Sequence, residues 1–251
     1  MVEQEFEWNN RKWHVGQFWG QAHPNPKHNC YHSAEAMDNI EGVYMFLDIK
    51  DEPKFFEEIK QTKEYGVGYM TSVDEYLYGD FYFQYALPIG INLWPAIWMS
   101  SKESWPPEID IVEGWSGKGF FKKGNPDYKK IWFLNDIYPS LHYGTAVDHK
   151  IKTFGSFPFK KYTYSGWQRL HAYITCRLLW EPERMRIWYE GHKVLDFKDT
   201  KILSEFNKPM VIHVNTYIDE DFKKEDFAHY EEYGKGMSLL DFQYKPVKYR
   251  L

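Results

Sequence analysis

The sequence predicts an all-β sandwich in one domain, and three observations lead there. Short segments of alternating apolar and polar residues recur along the chain, the period-two signature of half-buried strands. Clusters of Gly, Pro, Asn and Asp separate them, as turns between strands require. Helical periodicity surfaces only once. At 251 residues the chain is ordinary for one sandwich or barrel, and it can bury a core without disulfides or a structural metal. No repeat, linker or composition break divides residues 1–251, so a single domain is expected.

Taken in order, Gly42–Ile49 and Tyr78–Pro88 alternate as strands. Between them, Asp51-Glu52-Pro53 followed by Phe55, Phe56 and Ile59 reads as a capped short helix or turn. Leu93–Met99 and Glu108–Glu113 follow, then Gln168–Leu179 and Arg184–Tyr189 with a turn at Glu190-Gly191, then Pro209–Tyr217 and Ser238–Tyr244. Two stretches read as long loops, which in compact domains are more often functional than structural. Gly114 to Tyr138 interleaves Lys118, Lys122, Lys123, Lys129 and Lys130 with Phe120, Phe121, Tyr128 and Trp132. Asp219 to Tyr233 is acidic, with Asp219, Glu220, Asp221, Glu225, Asp226, Glu231 and Glu232 against two Lys.

Composition narrows the function. A formal net charge of -5 argues against nucleic acid as a partner. No apolar run is long enough for a membrane span, and membrane insertion is not expected. The start, Met1-Val2-Glu3-Gln4-Glu5, shows no signal peptide. Location therefore stays open, extracellular or periplasmic if a leader was removed. Cys30 and Cys176 give neither a disulfide framework nor metal-ligand spacing. Aromatic residues make up 20% of the chain, with 11 Trp and 20 Tyr. Most serve a core, yet such numbers also suit a surface that stacks on flat sugar faces.

The chemistry concentrates in Glu108-Ile109-Asp110-Ile111-Val112-Glu113. On a strand, Glu108 and Asp110 share one face while Ile109 and Ile111 enter the core. Strict alternation would send Glu113 to the opposite face, but a β-bulge at Ile111-Val112 returns it to the acidic one. Three carboxylates side by side repel one another unless protons are shared or a cation is bound. The spacing therefore fits a catalytic carboxylate pair, a calcium site or a solvated acidic face.

Leu93-Trp94-Pro95-Ala96-Ile97-Trp98-Met99 followed by Pro107-Glu108-Ile109-Asp110-Ile111-Val112-Glu113-Gly114 closely resembles glycoside hydrolase family 16. Weaker matches fall in the family's order. They are His28-Asn29-Cys30-Tyr31, Glu41-Gly42-Val43-Tyr44, Tyr78-Gly79-Asp80-Phe81-Tyr82-Phe83, Leu141-His142-Tyr143-Gly144, the hairpin within Trp167–Phe197, and Leu239-Leu240-Asp241-Phe242. The resemblance implies a concanavalin-like jelly-roll β-sandwich with a concave substrate cleft. It also implies a retaining endo-glycosidase with Glu108 as nucleophile, Asp110 as assisting carboxylate and Glu113 as acid/base. The bulged motif is that of the laminarinase, agarase, porphyranase and carrageenase branches, so a β-1,3-glucan or a β-galactan is the implied substrate. Three positions depart from the family pattern: Tyr85 stands where a basic residue is usual, Glu190 replaces an Asp, and Cys30 lacks its usual partner near Gly66–Ser72.

Other residues follow from alternation and the same resemblance. Trp94 and Trp98 face one side together, either stacking on sugar or filling the core, and Trp115 should point into the cleft. His142 is a candidate for tuning the nucleophile or binding substrate. Asn29 and Asn215 are candidates for sugar contacts, and equally for satisfied turn or edge positions. Asp241 matches a position where some relatives hold a structural calcium; no cofactor is otherwise required. The lysines after Glu113 are either a solvated loop or a match for sulfated sugars. The partner expected is a polysaccharide, met by a monomer. A transglycosylase is the alternative within the same class, and a lectin-like or adhesin sandwich the alternative outside it.

Overall fold

The computed structural model describes residues 4–39, 42–48, 52–88, 92–114, 137–154, 173–218, 220, 222 and 236–247. The chain opens with β1 (Glu5–Trp8), β2 (Arg11–Val15), β3 (Cys30–His32), a 3-10 turn at Ala34–Ala36, β4 (Met37–Asn39) and β5 (Val43–Asp48). Next come β6 (Lys54–Phe56), β7 (Gln61–Lys63), β8 (Tyr65–Val67), β9 (Tyr69–Ser72), β10 (Gly79–Ala86), β11 (Leu93–Ser100) and β12 (Glu108–Glu113). β13 (Tyr138–Gly144), β14 (His149–Thr153), β15 (Ile174–Glu181), β16 (Arg184–Tyr189) and β17 (His192–Phe197) precede the single helical turn α1 (Thr200–Leu203). β18 (Val211–Ile218) and β19 (Gly236–Lys245) complete the set.

Two sheets carry the fold. The first runs β1-β2-β9-β18-β11-β12-β13-β14, and the second β17-β16-β15-β10-β19-β5-β8-β3 with β4 beside β5. Sequence neighbours are often apart in the sheets, so β18 returns to lie between β9 and β11. One continuous core joins the inner faces. Ile97, Met99, Ile109, Ile111, Val112 and Val214 of the first sheet pack with Phe81, Phe83, Tyr85, Leu178, Ile187 and Tyr189 of the second. Strict alternation produces this, as in β10, where every second residue from Gly79 is buried. The outer face of the first sheet is therefore free to carry polar groups. The expected all-β jelly-roll sandwich is the fold found.

Most expected strands appear within two residues of their expected ends. β12 and β16 match end for end, and Glu190 (φ 48°) with Gly191 (φ 76°) makes the two-residue turn between β16 and β17. The expected short helix around Phe55 and Phe56 is instead the β6–β7 hairpin, with Phe55 opposite Thr62 and Phe56 opposite Gln61. A helix there would need Phe55 to bury an apolar stripe, but Phe55 is 60% exposed. Phe56 packs on Tyr31 at 5.6 Å, a single contact that a short hairpin supplies as well.

Candidate active site

The site begins with a register error built into β12. Against β11, Ala96 pairs with Glu113 and Ile97 with Val112, but Trp98 then pairs with Asp110. Ile111 is the extra residue, and Ile109, Ile111 and Val112 are all fully buried. The bulge lies where the apolar pair predicted it, and it returns Glu113 to the outer face with Glu108 and Asp110. On that face the Glu113 carboxylate Oε1 accepts a hydrogen bond from Trp94 Nε1 at 3.1 Å.

Around the other two acids the contacts are dense. Asp110, 4% exposed, accepts at Oδ2 from the Ser140 hydroxyl and lies 2.9 Å from His142 Nε2. That same nitrogen is 3.5 Å from Glu108 Oε1. Glu108 Oε2 accepts from Trp105 Nε1 at 2.8 Å. His142 Nδ1 in turn meets His149 Nε2 at 2.9 Å. The register explains the placement, since β13 sets His142 opposite Glu108 and Ser140 opposite Asp110.

These surroundings hold protons on the acids. Burial, then the neighbouring Asp110 charge, raises Glu113 to about 8, while the Trp94 N–H works the other way. Burial followed by Asp110 also raises Glu108 well above the ordinary carboxylate range, opposed by the Trp105 N–H. The cause is elementary: three anions in one partly desolvated patch cannot all be charged. Glu108 and Glu113 therefore titrate as coupled groups rather than as two independent acids. Glu108, Asp110 and His142 also bring ligand atoms within 4.8 Å of one another.

Tryptophans flank the acids along the same face. Trp98 donates to Asn215 Oδ1 at 2.8 Å and stacks on His213 at 4.0 Å. Burial drives His213 well below its ordinary range and keeps it neutral. Its ring nitrogens meet the Tyr69 hydroxyl and Ser100 Oγ, each at 2.9 Å. Trp19, 46% exposed, leans on Trp98 at 6.1 Å. On the other side Trp94 meets His28 at 5.1 Å, and Trp105 meets His149 at 4.6 Å.

Alternation thus brings Glu108, Asp110, Glu113, Trp94, Trp98, Asn215 and His142 to one face. Asn215 is buried and serves the tryptophans, adding a 3.4 Å bond from Nδ2 to the Trp94 carbonyl. Asn29 stands directly before β3, and its Oδ1 accepts from the Glu64 backbone N–H at 3.0 Å. Asp241 takes amide hydrogens from Asn9 (3.1 Å) and Gln243 (2.8 Å), and no three-ligand cluster surrounds it among the described residues. Trp115 and the five-lysine stretch lie outside the described residues, as does most of the acidic one. Within the latter, Glu220 pairs with Lys27 at 2.8 Å. Cys30 and Cys176 are buried and unbridged. Trp105, Ser140, His149 and Trp19 were not anticipated. A Trp three residues ahead of Glu108 was the one local signal available; the others depend on strand pairing and loop packing.

No family model matches the sequence, and no curated protein matches it either. Solved structures do match in fold. The catalytic domain of an endo-1,3-beta-glucanase (laminarinase) from Thermotoga petrophila is similar over 98% of this chain and 95% of its own, with TM-score 0.64 and 15% identity. A GH16 protein of Bacteroides ovatus, in complex with a mixed-linkage glucan product, matches over 93% of each chain with TM-score 0.59 and 15% identity. A structure described with endo-acting O-glycanases of human gut microbiota that initiate mucin breakdown matches 98% of this chain and 88% of its own. Its TM-score is 0.68 at 14% identity. Carboxylates, tryptophans and bulge therefore sit on the jelly-roll fold that family 16 glycoside hydrolases also use.

Proposed function

We propose that this chain is a retaining endo-glycosidase that cleaves a β-linked polysaccharide by double displacement. The observation that carries the reading is the bulged β12, which holds Glu108, Asp110 and Glu113 on one face beside exposed indoles. A binding protein has no use for three clustered acids, whose repulsion costs stability. A retaining glycosidase needs two of them in different protonation states.

The roles follow from the partners of each acid. Glu113, raised to about 8, holds its proton at neutral pH and gives it to the glycosidic oxygen. Glu108 attacks the anomeric carbon and forms a glycosyl ester. Asp110, held in place by Ser140 and His142, flanks the nucleophile throughout. Glu113, now ionised, takes a proton from water as the water attacks the same carbon, and Glu108 leaves. No cofactor enters the scheme.

A β-1,3- or mixed β-1,3(4)-glucan is the favoured substrate, supported by the names of the glucanases that share the fold. A β-galactan is the second candidate, resting on the bulged motif. Reducing-sugar assays on laminarin, mixed-linkage glucan, agarose and carrageenan test this. Glu108→Gln should lower the rate by several orders of magnitude, and NMR should show the β-anomer as first product. An inverted product would overturn the nucleophile assignment. Silence on every polymer, with retained binding, would make the protein a lectin.

A further inference from the structure

We propose that Tyr189, on the opposite sheet, is a positioning residue that locks the β12 bulge and thereby aims the acid/base Glu113. The inference rests on the glycosidase reading for its catalytic consequence, while the lock itself is a structural statement.

An extra residue in a strand loses its place in the hydrogen-bond ladder. Here the loss is aggravated by sequence. Against β13, Asp110 pairs with Ser140 and Glu113 with Tyr138, so Pro139 stands opposite Ile111 and Val112. Pro139 turns its carbonyl the other way, to the Phe154 N–H at 3.0 Å, and carries no N–H of its own, so it offers the bulge no donor. A buried carbonyl without a donor is costly. The donor comes from across the core: the Tyr189 hydroxyl, fully buried in β16, donates to the Ile111 carbonyl at 2.5 Å.

The lock bears on Glu113 because strand register is all or none. A slip of one residue moves each side chain to the other face, which would turn Glu113 into the core and break its bond from Trp94. Ile111 and Val112 side chains are both buried, so neither marks the register by its polarity. Tyr189 bonds to the backbone of the bulge residue itself and holds the bulged alignment whatever those side chains do.

A second core tyrosine provides the control. The Tyr85 hydroxyl lies buried in the same core and meets no hydrogen-bond partner among the described residues. Tyr189→Phe and Tyr85→Phe remove the same atom type, but only the first frees the bulge.

The experiment compares wild type, Y189F and Y85F on polymer and on an aryl glycoside with an activated leaving group, which needs no proton from Glu113. Displacing a catalytic group by about 1 Å costs about a hundredfold. Y189F should therefore lose about tenfold to a hundredfold in kcat on polymer, with KM little changed and the aryl glycoside largely spared. Y85F should match wild type on both. Equal losses on both substrates, or no loss at all, would overturn the proposal.

Carboxyl-carbon NMR titration provides a readout that needs no turnover. In Y189F a loosened bulge admits water, so the Glu113 midpoint should fall towards its ordinary value in the company of Glu108 and Asp110. An unchanged midpoint would overturn the lock, even if wild type proved inactive on every glycan and the glycosidase reading fell alone. Should Y189F fail to fold, 3-fluorotyrosine at position 189 keeps the hydroxyl and alters its donor strength. The Glu113 midpoint should then move, and one that stays at the wild-type value would overturn the proposal.

Discussion

Glu113 shows at the level of one residue how environment makes an acid. Burial and the charge of Asp110 lift it from 4.5 to about 8. If it is the proton donor, kcat/KM on polymer should be flat through neutrality and fall as pH rises through about 8. On an activated aryl glycoside, which needs no proton from Glu113, that fall should be absent. The same shift sets a stability sign. A carboxyl raised in the folded state binds a proton that the unfolded chain releases above about pH 4.5, so folding weakens as pH rises from there towards 8. Glu113→Gln should thus melt above wild type, by a margin that widens between pH 5 and pH 8; a constant margin would show that Glu113 is not the group involved. These acids were legible because alternation and a single bulge suffice to gather them. Ser140 and Trp105 were not, because their contacts depend on which strand lies beside β12 and on the path into it.

Among the elements, the β6–β7 hairpin was the one misread, and the reason is informative. Two phenylalanines and an isoleucine near helical spacing, after an acidic start, satisfy a helix pattern. That pattern says nothing of where the apolar side chains find cover. In the structure the hairpin's purpose is the reverse of an amphipathic helix: it presents Lys63. This ammonium is buried and donates to the backbone carbonyls of Asn25 (3.0 Å) and His28 (2.9 Å). The loop it holds carries His23 and His28, which pack on Trp94 at one end of the acidic face. Lys63→Met keeps the aliphatic stem and leaves both carbonyls without a charged donor, a loss of about 2 kcal/mol. The melting temperature should fall by about 4–8 °C. KM on polymer should rise severalfold with kcat nearly unchanged, since the loop touches Trp94 and none of the three acids. A fall in kcat with KM held would instead place the loop in the chemistry.

For the whole molecule, the sandwich was legible because each sheet has one inner face, and alternation writes that face into the sequence. Strand order was not, since β18 joins β9 to β11 across long stretches of chain and no local pattern encodes that pairing. The order nevertheless bears on the proposed mode of action. Placing β11 between β18 and β12 spreads the aromatic groups along the sheet rather than around a pocket. Trp19 with Trp98 and Trp94 with His28 lie along β11, while Trp105 with His149 lies beyond β12. Platforms on both sides of the carboxylates suit a chain that passes through with residues bound on either side of the cut. Cleavage should then fall at internal bonds. The viscosity of a long β-glucan should collapse while few reducing ends have formed, and early products should be oligosaccharides of mixed length. A release of monosaccharide from the outset, with viscosity falling only in step with reducing ends, would require one end of this face to be closed.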